Sequence, residues 1–444
     1  MTAAHRAVAP SVAAASGPAP RPRLSLLGLH PRSGPGTIYS LLTRLIATGS
    51  AESRVDLGSA TGLARSTVGD HLDRLLAAGV LVEGGTVARG GRGRPPQRLA
   101  LNRRAAVVGV AALGARRARV AVADLAQTVL AEEELLLDVA RGPEHCVDVV
   151  TERLRRLLAA RGYGAEAVGV VVVGVPGPVD VRAGTPVRPP IMPGWDEYPL
   201  GAVLSERFGC PALVDNDVNL MALGEARSLD PGELPLLFLK IGTGIGGGLV
   251  SASGELHRGA DGSAGDIGHI RVPGGDDVVC RCGNIGCVEA VASAAAMLER
   301  VRRAGTGSAH RDPRGSAAPE RREPRHIDDL RALLRAGDPE AVRVVRESAA
   351  AIGEITALLV HVYNPARIVL GGAVSQDSDD LLAGVRGVVY RRALPLATRH
   401  LTLAPSVLGP SAGVTGGIVL GVEHILSPDG ISHLMAAAAA GAAG

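Results

Sequence analysis

From Thr37 the apolar positions Ile38, Leu41, Leu42, Leu45 and Ile46 recur at the spacing of one helical face, and Gly49 stops the run. Residues 55–61 predict a short second helix, and Gly62 permits a tight turn after it. Ser66 is placed to cap a third helix whose inward face is Val68, Leu72, Leu75 and Leu76. Three short helices in this order predict a helix-turn-helix. Gly79 ends the third, and residues 80–83 and 86–88 flank Gly84-Gly85, a two-residue hairpin signal of the kind that builds a wing.

Beyond Asn102 the pattern changes to apolar strands separated by Gly-rich turns and longer amphipathic helices. Strands are expected at 105–111, 120–124, 129–137 and 168–173, with a helix at 146–158 and a strand at 368–370 running into Gly371-Gly372. This alternation predicts an α/β domain. Residues 303–325 are polar, rich in Arg and carry three prolines, which reads as a mobile loop within that domain. The expected organisation is a disordered basic tail at 1–33, a winged helix-turn-helix at 34–101 and one large domain at 102–444. The final Ala-rich dozen is expected to fray.

Composition sharpens this division. Aromatics make up only 2% of 444 residues, so Val, Leu, Ile and Ala must fill the core and base stacking is not the expected binding chemistry. The net charge of +3 does not mark a nucleic-acid binder, but its distribution is uneven. No acid precedes Glu52 and none lies between Glu83 and Asp124, a span that holds Arg89, Arg92, Arg94, Arg98, Arg103 and Arg104. The N-terminal quarter thus carries a positive field. No apolar run approaches the roughly 18 residues of a membrane span. Pro10, Pro18 and Pro20 interrupt the start where a signal peptide needs an apolar helix, so a cytoplasmic protein is expected.

The exposed set on the third helix is Arg65, Ser66, Thr67, Asp70, His71 and Arg74, and a recognition helix presents such residues to base edges. Arg92-Gly93-Arg94-Pro95-Pro96 is extended, low in acid and shaped to reach a narrow groove, with a linker role alone as the alternative reading. A double-stranded DNA operator is the expected partner. Three of the five cysteines, Cys280, Cys282 and Cys287, fall within eight positions, and His269 precedes them. One imidazole and three thiolates match tetrahedral zinc with no position left for water, so the zinc is expected to be structural.

Six ordered motifs carry a family resemblance. Gly265-Asp-Ile-Gly-His269 and Cys280-Arg-Cys-Gly-Asn-Ile-Gly-Cys-Val-Glu289 resemble the signature of the ROK family (repressors, open reading frames and kinases). Gly174 to Asp180, Asn216 to Asn219 with Ala222 to Glu225, Gly242 to Gly248, and Gly371-Gly372 stand in family order, from about Val108 to about Gly421. The resemblance implies an actin-like fold of two lobes, of the ribonuclease H-like or sugar-kinase type, with a hexose-like ligand between them. Carried over by position, Asn216, Asp217, Asp266, His269 and Glu289 would bind a sugar or sugar phosphate, although position 266 is more often Glu in the family. Gly242, Thr243, Gly244, Gly371 and Gly372 would face a phosphate or nucleotide.

The resemblance also separates two functions. In a ROK kinase Asp217 would be the base toward a sugar hydroxyl, and the first hairpin of the domain would carry Asp, Gly and Thr. Here that stretch is Ala112-Leu-Gly-Ala-Arg116, so the acid that positions metal-bound phosphate is replaced by a methyl group. The expected protein is therefore a sugar-sensing repressor, not an enzyme, with an active hexose kinase as the alternative. Readers of this type work on paired half-sites, so a homodimer or homotetramer is expected.

Overall fold

Helices α1 (Pro35–Ala47), α2 (Arg54–Thr61) and α3 (Arg65–Ala77) form in the order that the periodicity predicts, in a computed structural model that describes residues 22–30, 34–86, 96–307 and 323–443. Ser53 caps α2 by accepting from the Asp56 amide at 3.3 Å. Gly62 closes the helix at φ +69°, a left-handed conformation that a side chain would strain. Ala64, not Ser66, is the N-cap of α3, so Ser66 falls inside the first turn. Val68, Leu72 and Leu75 are buried and Leu76 is half-buried, close to the predicted inward face.

The expected Gly84-Gly85 hairpin does not form. Both glycines lie inside β1 (Leu81–Thr86), whose register slips between Glu83 and Thr86, and β1 pairs antiparallel with β2 (Gln97–Leu101). Gly85 at φ +69° supplies the local kink that a bulge requires. The residues between the two strands, Arg92 and Arg94 among them, lie outside the described residues.

A five-stranded sheet follows, built from β3 (Val107–Leu113), β4 (Arg117–Asp124), β5 (Val129–Leu136), β6 (Val168–Val175) and β9 (Ala212–Asn216) in the order β5-β4-β3-β6-β9. Helices α4 (Pro143–Ala159) and α5 (Leu200–Phe208) cover one face, and β7 (Val179–Asp180) and β8 (Thr185–Pro186) form a small ribbon. After α6 (Asp217–Ser228), the second lobe is a four-stranded sheet in the order β11-β10-β12-β13. Its strands are β10 (Leu236–Ile241), β11 (Ile245–Val250), β12 (Arg367–Gly371) and β13 (Thr402–Pro405). Around it stand α7 (Val288–Ala292), α8 (Ala294–Gly307), α9 (Ile327–Arg335), α10 (Pro339–Tyr363), α11 (Asp379–Arg392) and α12 (Pro395–Thr398). Helices α13 (Ala412–Ile425) and α14 (Pro428–Ala443) close the chain.

Both sheets are mixed, with two antiparallel and two parallel pairs in the first and one antiparallel and two parallel pairs in the second, and α6 and α13 pack face to face between the lobes. Their approach is so close that a methyl group on Gly416 would overlap the Leu220 carbonyl, and one on Gly224 would overlap that of Ala412. Glycine at these two points brings the helix backbones together and leaves no room for a side chain.

Three expectations fail for reasons of packing. Residues 22–30 belong to the expected disordered tail, yet Leu24 and Ser25 are buried and Arg23 donates to the Ala226 carbonyl at 3.0 Å; residues 1–21 lie outside the described residues. Helix α8 runs on through residue 307, so the expected loop at 303–325 is helical where it starts, and 308–322 lie outside the described residues. The Ala-rich end does not fray but continues α14, which packs on α1. The expected boundary at residue 101 is accordingly crossed by one continuous apolar core, in which Leu42, Leu45 and Leu72 join Val108, Val110, Val422 and Ile431.

A buried polar network pins this junction. The Arg227 guanidinium at the end of α6 pairs with Glu423 of α13 at 3.0 Å and with Glu255 at 3.2 Å. Glu423 accepts from the Ser25 amide at 2.6 Å, while Arg44 of α1 donates to the Glu423 carbonyl at 2.6 Å and to the Ser25 carbonyl at 2.5 Å. Burial pushes the Glu423 carboxyl up, and the charges of Arg227 and Arg44 pull it back. Removing one member of such a set leaves a buried charge uncompensated. Arg227→Met should therefore lower stability in urea unfolding by about 3 kcal/mol or more. A change within roughly 0.5 kcal/mol, ordinary for a surface site, would show the network to be dispensable.

Candidate ligand cluster and metal centre

Strand β9 ends at Asn216 and α6 begins at Asp217, so both predicted ligand residues sit where a strand runs directly into a helix. Asn216 is the N-cap: its Oδ1 accepts from the Val218 amide at 2.8 Å and its Nδ2 donates to the Gly177 carbonyl at 2.8 Å. The adjoining Asp215 is fully buried and accepts two bonds from Arg258, at 2.6 and 3.0 Å, and one from Asn219 at 2.8 Å. Both Arg258 bonds converge on one oxygen of Asp215, and this pair holds the loop after β11 against the end of β9.

Asp217 does not stand free. Its carboxylate is ion-paired with the ammonium of Lys240, which lies on β10 in the other lobe. The aliphatic end of Lys240 reaches the Gly242-Thr243-Gly244 turn, which joins β10 to β11 through a bond from the Gly242 amide to the Gly244 carbonyl at 2.9 Å. Glu289, on α7, accepts from the Ile245 amide at 3.0 Å on the far side of that turn. Glu289 also bears on Asp266: burial pushes the Asp266 carboxyl up, the nearby Glu289 charge adds to this, and His269 opposes both. Asp266 keeps an exposed edge, at the rim of the group. Asn216, Asp217, the glycine turn, Glu289, Asp266 and His269 thus form one continuous chain of neighbours across the lobes. Gly371 and Gly372 end β12 beside it, where Gly371 is paired in register with Lys240.

The four predicted metal ligands come together. The ring nitrogen or sulfur atoms of His269, Cys280, Cys282 and Cys287 all lie within 4.8 Å of one another. Cys280 Sγ is 3.8 Å from His269 Nδ1, and Cys282 Sγ is 3.7 Å from Cys287 Sγ. A tetrahedron with metal–sulfur bonds of about 2.3 Å has edges of about 3.8 Å, so the spacing suits a metal. Gly283 and Gly286, at φ +91° and +80°, turn the loop that carries Cys282 and Cys287. Without a cation, burial pushes the Cys287 thiol up to about 12 and raises Cys280 as well, whereas the Asn284 amide lowers the exposed Cys282. Two of the three sulfurs therefore gain their charge only beside a cation. Cys287 is also the N-cap of α7, so a bound ion would fix the helix that carries Glu289.

The residues predicted to meet DNA are less uniform. Arg65, Ser66, Asp70 and Arg74 are exposed on α3, and Thr67 is half-buried. His71 does not face outward: its ring packs edge-to-face on Tyr39 of α1 at 5.1 Å, and burial lowers its pKa. Its position on the helix lies between the polar face and the buried face. Arg54 pairs with Asp73 at 2.8 Å, which screens one acid of α3. The residues that sequence reasoning missed are Lys240, Arg258 and the strap at 22–30. Only Lys240 left a signal, as the sole lysine of the chain set in the apolar strand Leu236–Ile241.

Two lobes of mixed sheet around a close-packed pair of helices, with glycine turns at the strand ends, define an actin-like sugar-kinase-type fold. The chain belongs to the ROK family, which it matches over residues 107–423. The xylose repressor of Caldicellulosiruptor bescii is 27% identical over 390 residues, covering 87% of this chain and 96% of the relative. The glucokinase of Halalkalibacterium halodurans is 33% identical over 264 residues, 59% of this chain and 78% of the enzyme. A solved ROK family transcriptional regulator, homologous to the Escherichia coli MLC protein, has the same fold with a TM-score of 0.73 at 23% identity, over 90% of this chain and 98% of that one. Among the described residues no helix is long and apolar enough to cross a membrane.

Cys282→Ser should abolish stoichiometric zinc in elemental analysis and expose the loop around residue 280 to protease. A variant that keeps its zinc, or a metal-free wild type that resists protease equally well, would remove the metal from the account.

Proposed function

We propose that the chain is a DNA-binding transcriptional repressor whose ROK domain senses a sugar and is shaped by a structural zinc. The observation that carries this reading is where the similarity extends. The xylose repressor aligns over 87% of the chain and 96% of its own length, whereas the glucokinase aligns over 59% of the chain. The family match begins at residue 107, and the longer similarity to the repressor supports reading the elements before it as the DNA-binding part. In this reading α1 to α3 form a helix-turn-helix, β1 and β2 are the stem of its wing, and Arg65, Ser66, Thr67 and Arg74 meet the duplex with Arg92 and Arg94. A homodimer or homotetramer places two such modules on paired half-sites.

Two features of the cluster support sensing without turnover. Ala112 stands in β3 where the kinases' hairpin carries an acid, and the Asp217 carboxylate is already ion-paired with Lys240. Coupling follows the α6 helix: its first turn carries Asp217, and its last carries Arg227 in the network that grips Arg44 of α1. A sugar bound at one end acts on the DNA module by favouring one arrangement of the lobes.

The test uses the full chain and a DNA fragment from near its own coding region. The protein should bind the fragment and release it with one sugar of a panel. Arg65→Ala should weaken binding and flatten the salt dependence by about one charge. Steady formation of ADP from ATP with a hexose, or indifference to DNA, would transfer the chain to the kinase class.

A further inference from the structure

We propose that Lys240 and Asp217 act as a couple that reads two neighbouring hydroxyls of a neutral sugar, one as donor and one as acceptor. This rests on the ligand reading above. Lys240 is the only lysine among 444 residues, and it stands next to last in a strand otherwise made of Leu, Phe and Ile. Its directly paired neighbours are Gly246 on β11 and Gly371 on β12. Opposed residues share a face of the sheet, and the two glycines leave room there that the Phe238 ring fills over Gly371 and Val218 of α6 fills over Gly246. Phe238, two positions back on the same face, is fully buried under α6. The lysine stem therefore leaves the core between the Phe238 ring and Val218 and ends at Asp217.

The couple is partly open. The side chains of Lys240 and Asp217 are 21% and 10% exposed, and an ammonium has three donors of which Asp217 takes one. Among the described residues, no other hydrogen-bond partner of Lys240 is found. A carboxylate only accepts and an ammonium only donates, whereas a hydroxyl does both. Adjacent hydroxyls on a sugar ring satisfy the couple together: one donates to Asp217 and its neighbour accepts from Lys240. A phosphate ester fits poorly, because it would bring negative charge against Asp217 with Glu289 and Asp266 beyond the glycine turn. The pair also spans the lobes, so a ligand that engages both members holds α6 against β10.

A sole lysine makes the test specific. Reductive methylation of the zinc-loaded full chain modifies two amines, Lys240 and the N-terminus, and mass spectrometry follows each. The probes are a panel of neutral aldoses, their phosphate esters and their monodeoxy analogues. The aldose that releases DNA should slow methylation of Lys240 about tenfold at roughly tenfold excess over its Kd, with the N-terminal amine unchanged. Its deoxy analogue at one of the two read positions should protect far less. Lys240→Arg should keep part of the sugar-induced rise in Tm, and Lys240→Met should lose it. If the wild type answers to sugar but Lys240 reacts at its free rate, or only phosphate esters protect it, the couple is refuted while sensing stands. If no sugar protects Lys240 or releases DNA, the couple falls with the ligand reading.

Discussion

Helix α6 is the element on which the other arrangements depend. Its 12 residues make a rod of about 18 Å, stiff enough that its two ends move together. One end presents Asp217 to the second lobe through Lys240, and the other buries Arg227 between Glu423 and Glu255. Between them Gly224 meets α13 at backbone distance, so the helix cannot shift without moving α13 as well. Since α13 leads into α14 and α14 packs on α1, both routes out of α6 end at the N-terminal helices. A small rearrangement at the lobe junction reaches that module through packed backbone and charge, with no long flexible link between them.

The thiolate cluster does a different job. Backbone bonds shape this loop, Cys280 to Asn284 and Gly286 to Val278 among them, but its buried thiols resist ionisation and so gain little from one another without a cation. A cation would gather the three sulfurs and His269 and fix α7 through Cys287, which sets where Glu289 lies relative to the Gly242-Thr243-Gly244 turn. In that arrangement the metal organises the ligand cluster without meeting the ligand, and His269 links the two.

Much of this was legible in the sequence, and what was not has physical causes. Helices α1 to α3 and strands β3, β4 and β6 show because burial on one face imposes a period on apolar residues. The metal set shows because ligand spacing is local. The strap at 22–30 does not, since only Leu24 and, in part, Leu29 pack on the apolar core, and no helical or strand period arises from two such positions five residues apart. Gly84-Gly85 suits a tight turn and a bulge equally well, and only the partner strand decides between them. His71 lies between two helix faces, and Tyr39, which is remote in sequence, draws it inward. Lys240 stands out by composition alone; its role needs Asp217, and the fold brings the two together from separate lobes.

If one rod joins ligand cluster and DNA module, the coupling must be reciprocal. The direct measurement is sugar affinity by calorimetry, taken with the free protein and again with the protein saturated by its operator. The account predicts that DNA weakens sugar binding by the same factor by which the sugar weakens DNA binding. Equal sugar affinities in the two states would contradict it.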